Sequence, residues 1–345
     1  MREKMIRAGI SHGDTNGIAY ELILKMFDDT HIFETCIPIV YGSSKILAYH
    51  RKTLDLPAVN VSNINRAEDA GANRLNMINI VSEDLIVELG KPTPESAKAA
   101  DVALNRALDD LKAGIIDVLI VAPSEIDPVR TAEMKAAREQ KSLQLLTHDS
   151  FRLALATGNV PLADVSALLT EEALTEKIIA LRDSLIRDFQ VTFPRIAVLA
   201  LNPQVEQETV TTQAIKTASD AGVLCFGPYA ADDFFALDGQ RRFDAVLAMY
   251  HDQGMIAFKT LVNEDHALFI GNLPFIVTAP NIHVSFDKAG KNESSPNALQ
   301  KALFLAIDIY NSRETDKQIN SNPLKKQYFE RGSDNEKLDL TKEEI

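Results

Sequence analysis

AGISHGDTNGIAYELILK, residues 8–25, carries an apolar segment into a small polar turn and then into an amphipathic helix. The strand ends at Ser11, and His12, Gly13, Asp14, Thr15, Asn16 and Gly17 form the turn. Apolar spacing then predicts a helix over 17–27. The glycines allow close backbone approach, Asp14 is placed to cap the helix, and amides at the helix start can face an anion or a polar cofactor edge. Capping alone accounts for these residue types, since Gly, Asp and Asn also dominate ordinary turns.

The same alternation runs outward from this unit. Strand candidates are Ile6 to Ile10, Ile37 to Tyr41, Ile115 to Ala122, Leu153 to Thr157, Ile196 to Leu201 and Ala245 to Tyr250. Most are continuously apolar, as strands buried on both faces are. Helical spacing is clearest over Gly17 to Phe27, Glu95 to Ala113, Glu171 to Phe189 and Asn297 to Asn311. Strands alternating with helices predict an α/β fold with mainly parallel sheets. At 345 residues the chain exceeds one typical domain. The expected division is 1–122 plus 272–330 for the first α/β domain and 123–271 for the second, with a cleft between them and a charged tail over 331–345. Beyond Arg313 apolar spacing is lost, which predicts a surface segment.

Hydrophobic residues at 46% and charged residues at 25% are the proportions of a folded water-soluble protein. No run approaches a membrane span and the N-terminus lacks a signal-peptide core, so a cytoplasmic address is expected. Lys and Arg number 36 against 49 Asp and Glu, a net charge of -13. That field repels nucleic acid and anionic membranes, and it makes a small molecule the expected ligand. Cys36 and Cys225 lie in apolar strand-like runs and read as buried thiols.

A second segment, FDAVLAMYHDQGMIAFKTL over residues 243–261, is denser in reactive groups. An apolar strand ends in Tyr250, His251, Asp252, Gln253 and Gly254, with Lys259 beyond. A His and an Asp at the carboxyl edge of a buried strand can exchange a proton or bind a divalent metal, and Lys259 can meet an anion. These are the candidate catalytic residues.

With these segments in hand, the chain resembles the 4-hydroxythreonine-4-phosphate dehydrogenases of pyridoxal phosphate biosynthesis and related enzymes acting on phosphorylated hydroxy acids. GDTNGIAYE is similar to the family's GDPAGIGPE, LATGNVPL to its T-T-H-I-P-L, and LNPQ to its L-N-P-H-A-G-E, while MYHDQG matches over six consecutive residues. The resemblance implies an isocitrate-dehydrogenase-like two-domain fold, a homodimer with sites at the subunit interface, NAD, and a divalent metal held by three histidines. In that chemistry the metal polarises the substrate hydroxyl, hydride leaves to nicotinamide, and the resulting β-keto acid loses carbon dioxide.

Carried across position by position, the metal site keeps His251 alone, because Asn159 and Gln204 stand at the other two histidines. Neutral carboxamides are feeble ligands beside imidazole, and a catalytic zinc takes about three protein ligands. The family's A-P-I-N-K reads APSEI, with Glu125 and Ile126 at the Asn and Lys. Leu268 stands at a phosphate-binding Asn and Val277 at an Arg, and the stretch from Pro123 to Leu153 is too short for the family's G-H-T-E segment. The glycine-rich dinucleotide stretch has shrunk to VEQETVTTQ. His148, His266 and His283 are candidates for a relocated site, with His12, His31 and His50 expected to be structural or superficial. Asp14, Glu21 and Asp287 match family acids that capping or packing also explains.

Three readings follow. One is an active NAD- and metal-dependent dehydrogenase. The second is a family member with degraded metal and phosphate sites, weak or no family activity and a pocket with little positive charge. The third is a non-catalytic partner that dimerises through the inherited interface. The lost ligands favour the second.

Overall fold

The structure is a computed structural model that describes residues 5–82, 84–126, 128, 131, 142–205, 209–262 and 265–321. The strands are β1 (Ile6–Ser11), β2 (Cys36–Gly42), β3 (Val61–Ile64), β4 (Leu75–Asn79), β5 (Val118–Val121), β6 (Leu143–His148), β7 (Phe151–Leu155), β8 (Arg195–Leu199), β9 (Leu224–Tyr229), β10 (Ala245–Ala248), β11 (Ala267–Gly271) and β12 (Val277–Pro280). The helices are α1 (Ala19–Met26), α2 (Ile32–Thr35), α3 (Ser44–Thr53), α4 (Pro94–Lys112), α5 (Leu162–Leu168), α6 (Glu171–Phe189), α7 (Thr209–Asp220), α8 (Ala231–Ala236), α9 (His251–Leu261) and α10 (Asn297–Ser321).

All twelve described strands join one sheet in the order β3-β4-β2-β1-β5-β12-β11-β6-β7-β10-β8-β9. Eight of the eleven neighbouring pairs are parallel; the antiparallel ones are β12 with β11, β11 with β6, and β6 with β7. Three reversals in a row leave β7, β10, β8 and β9 running opposite to β1, β2, β4, β5 and β12. The carboxyl ends of β7, β10 and β8 therefore lie side by side.

Period-2 alternation sends neighbouring residues of one strand into different cores. Val118 and Ile120 of β5 join the same apolar cluster as Ile196 and Val198 of β8, so one core runs along the whole of one face. On the other face Leu119 and Val121 pack with Ile39, Tyr41 and Leu108, while Ala197, Leu199, Val246 and Ala248 pack with Phe234 and Phe258 in a separate cluster. Burial on both faces is why these strands read as unbroken apolar runs.

The helices start and stop on local signals. Thr170 accepts a hydrogen bond from the amide of Ala173 at the start of α6, and Gln190 closes it in the left-handed conformation, so the observed span equals the expected one. Thr93 and Pro94 open α4, one residue earlier than expected, and its buried stripe is Ala99, Ala100, Ala103, Leu104, Ala107, Leu108 and Leu111.

Other boundaries differ from expectation. β5 starts at Val118 because Ile115 is still bound to the end of α4, its amide donating to the Asp110 carbonyl. β10 ends at Ala248, where α9 begins three residues later. The surface tail expected beyond Arg313 is, through Ser321, a continuation of α10. Arg313 is buried there and holds Asp188 of α6 at 2.7 Å, an anchor that keeps the charged turns helical. The tail expected over 331–345 lies outside the described residues. Both cysteines are free and buried. No described helix is long and apolar enough to cross a membrane.

Candidate functional site

Two side chains lace the carboxyl ends of the three adjacent strands. Thr157, just after β7, donates through its hydroxyl to the carbonyl of Met249 beyond β10 at 3.0 Å. Gln253, in the first turn of α9, accepts from the Met249 amide and donates to the carbonyl of Ala200 beyond β8, both at 2.8 Å. Gly254 lets α9 lie on the sheet, since a Cβ there would come within 2.6 Å of Leu155 and 2.7 Å of Leu153. The Gln and Gly of the HDQG motif are thus accounted for by architecture, a role the sequence reading did not assign.

The residues picked from sequence sit around this lacing. His251 opens α9 with its imidazole one-third exposed, and its Nδ1 lies 2.9 Å from a carboxylate oxygen of Asp252. Lys259 is exposed on the last turn of the same helix. Asn159 and Gln204, both exposed, follow β7 and β8. The positions expected to hold a metal therefore gather beyond three neighbouring strand ends, and they offer one imidazole and two carboxamides. This donor set does not fit a divalent transition metal within one chain. Among the described residues no group of three or more His, Cys, Asp or Glu is placed to hold one.

The remaining histidines do not build a substitute there. His266 is buried against Phe258, with its Nε2 2.9 Å from the Asn281 amide nitrogen, and His283 is exposed. His148 ends β6, and its Nδ1 lies 3.4 Å from the Lys301 ammonium of α10. His31 is exposed. His12 and His50 flank the Tyr20 ring, with centroids 5.4 and 5.2 Å away, and each ring meets a backbone carbonyl, of Ala99 and Thr15. Burial lowers both imidazoles from 6.5 to about 4, so both are neutral near neutral pH.

The turn after β1 is built differently from expectation. Asp14 does not cap α1, whose first residues carry no side-chain cap. Its two carboxylate oxygens accept from the Asn16 amide at 2.8 Å and the Ser96 hydroxyl at 3.0 Å, which tie the turn to the start of α4. Asn16 completes the seam through the Lys91 carbonyl and the Thr93 hydroxyl. Burial raises the Asp14 carboxyl, and the nearby Glu125 carboxylate pushes the same way. Gly13, at φ +70°, is required because a Cβ would strike the Pro123 carbonyl at 2.4 Å. Glu21 is buried too, accepting from Lys25 and the Ser294 amide, and Asp287 sits in a short 3-10 turn.

Leu268 and Val277, the two residues expected at the phosphate-site positions, pack among apolar neighbours. Val277 is fully buried in β12 opposite Ile270 and Leu119, and Leu268 packs from β11 into the clusters on that face. Much of the stretch from Pro123 to Leu153, including 132–141, lies outside the described residues, as do 206–208 of VEQETVTTQ. Beside the laced strand ends, α8 and α9 enclose a cavity of about 530 Å³ whose walls include Phe235, Tyr250, Ile256 and Leu261.

Comparison with known proteins agrees with this architecture. Residues 34–306 match the family model of the pyridoxal phosphate biosynthetic protein PdxA. A 4-hydroxythreonine-4-phosphate dehydrogenase of Bacteroides thetaiotaomicron is 40% identical over 359 aligned residues, covering 99% of this chain and 98% of that one. One from Sulfurihydrogenibium is 29% identical, covering 88% of this chain and 98% of that one. The crystal structure of 4-hydroxythreonine-4-phosphate dehydrogenase from Klebsiella pneumoniae superposes with a TM-score of 0.75 at 22% identity, covering 90% of this chain and 98% of that one, and establishes the isocitrate-dehydrogenase-like fold. The chain belongs to the PdxA family of pyridoxal phosphate biosynthetic proteins.

Proposed function

We propose that this chain keeps the family's scaffold and crevice but not its metal-dependent oxidation of a phosphorylated hydroxy amino acid, and that it acts as a small-molecule-binding protein. One observation carries the reading: beyond β7, β8 and β10 the side chains at the metal positions are Asn159, Gln204 and His251. A carboxamide bears no charge and a poor donor atom for zinc or manganese, so replacing two of three imidazoles removes most of the affinity. Leu268 and Val277 compound the loss, since aliphatic groups return none of the roughly 1.5–3 kcal/mol per charge-assisted hydrogen bond that a phosphate gains from polar partners. NAD, implied by family resemblance, loses its partner chemistry with the metal. The domains in this reading are 1–122 with 272–330, and 123–271. The chain works as a cytoplasmic homodimer without nucleic-acid or membrane partners; sedimentation of a monomer at micromolar concentration would count against the dimer.

The test is NADH formation from 4-phosphohydroxy-L-threonine and NAD with zinc, magnesium or manganese. No turnover is expected from the native chain, and Asn159→His with Gln204→His is expected to raise zinc affinity in calorimetry. Metal-dependent NADH formation that His251→Ala abolishes would overturn the reading. A second reading, an active dehydrogenase, is supported by the 40% identity to the Bacteroides enzyme along nearly the whole chain. The same assay decides between them.

A further inference from the structure

The cavity between α8 and α9 has a charge pattern of its own. Phe235, Tyr250, Ile256 and Leu261 give it an aromatic and aliphatic body. Asp232, in the first turn of α8, and Asp252, in the first turn of α9, put two carboxylates on its wall. Among the described residues, no Lys, Arg or His lines it. The imidazole of His251, next to Tyr250 and Asp252 in sequence, already has its Nδ1 2.9 Å from a carboxylate oxygen of Asp252. Its volume of about 530 Å³ falls within the range of small-molecule sites, and it occupies the crevice beyond the carboxyl ends of β8 and β10, where open α/β sheets bind ligands.

We infer that this crevice takes a small organic amine with an aromatic body, and that phosphorylated ligands are excluded from it. The inference rests on the reading above, in which a phosphorylated substrate is no longer the ligand. Two carboxylates, with no cation among the described lining residues and a net charge of -13 behind them, repel a phosphate or a dinucleotide. The same carboxylates attract an ammonium, and Tyr250 and Phe235 put two aromatic rings on the wall, partners for a ring or a cation. Both carboxylates are exposed, so each contributes a factor of about two to five in affinity.

The test is calorimetric titration of the full chain with four phenyl-bearing probes: 2-phenylethylamine, 2-phenylethanol and 3-phenylpropionate, which share one skeleton, and phenyl phosphate. The amine is expected to bind best, about tenfold tighter than the carboxylate, and the advantage should shrink in high salt. Asp232→Asn with Asp252→Asn should bring amine and alcohol to parity, and Phe235→Ala should weaken both. Circular dichroism checks the fold of each variant. Binding of 3-phenylpropionate or phenyl phosphate as tight as the amine would overturn the inference, as would an unchanged order in the double variant. So would failure of all four probes at millimolar concentration, the outcome if a second copy covers the crevice. NADH formation in the parallel assay defeats the reading of function, whereas loss of the amine preference alone defeats only this one.

Discussion

Acidification should destabilise this protein through His12 and His50. Both are buried, at 0% and 1% exposure, and pack on Tyr20, His50 stacked on its ring and His12 tilted against it. Burial lowers each from 6.5 to about 4, and His50 adds a further push on His12. The unfolded chain binds protons at the ordinary value and the native state does not, so stability is complete above about pH 6.5 and is lost as pH falls toward 4. Linkage gives a loss of about 2 kcal/mol per imidazole at pH 5 relative to pH 7, about 4 kcal/mol for the pair, against a total stability of roughly 5–15 kcal/mol. Asp14, whose carboxyl is raised, works in the opposite direction, because it takes up its proton more readily when folded. Urea denaturation at pH 7 and pH 5 measures the sum, and His50→Gln, which keeps a donor for the Thr15 carbonyl, should remove about half of the pH slope. Equal stability at the two pH values, or a slope that His50→Gln leaves intact, would refute the argument.

The lacing by Gln253 makes a second expectation. Gln253→Leu strands the Met249 amide and the Ala200 carbonyl, and a loss of about 2–4 kcal/mol is expected in chemical denaturation; a loss below about 0.5 kcal/mol would show that water satisfies both groups. Asp188 accepts from Arg187, Arg313 and Ser184 with its side chain wholly buried. Asp188→Ala leaves Arg313 without that partner and should cost about 3–5 kcal/mol, and in a double-mutant cycle with Arg313→Ala the two losses should be far from additive.

Much of the frame was readable in residue order. β1, β2, β8 and β10 are apolar runs flanked by polar turns, and α4 and α6 carry threonine caps and a regular buried stripe. Six of the described strands lay outside the expected set: β3, β4 and β9 at the two ends of the sheet, and β6, β11 and β12 in its antiparallel patch, where LQLLTH, ALFIG and VTAP become strands through pairing with segments distant in sequence. The end of α10 was missed for a similar reason: its charged turns have no periodic apolar face, and a distant carboxylate, Asp188, holds them.

The site divides along the same line. His251, Asp252 and Lys259, and the carboxamides of Asn159 and Gln204, were all legible, because donor chemistry belongs to each side chain alone. The stapling by Thr157 and Gln253 and the packing of His12 and His50 against Tyr20 were not. Residue order alone determined the class of fold, the family resemblance and which donor groups exist. Only tertiary structure decided that β7, β10 and β8 lie side by side, that Asp14 serves α4, and that two carboxylates share one apolar crevice. The physical reason is range: helix and strand patterns come from contacts a few residues apart, whereas strand adjacency depends on hydrogen bonds between segments about 50 to 90 residues apart, which no local pattern encodes.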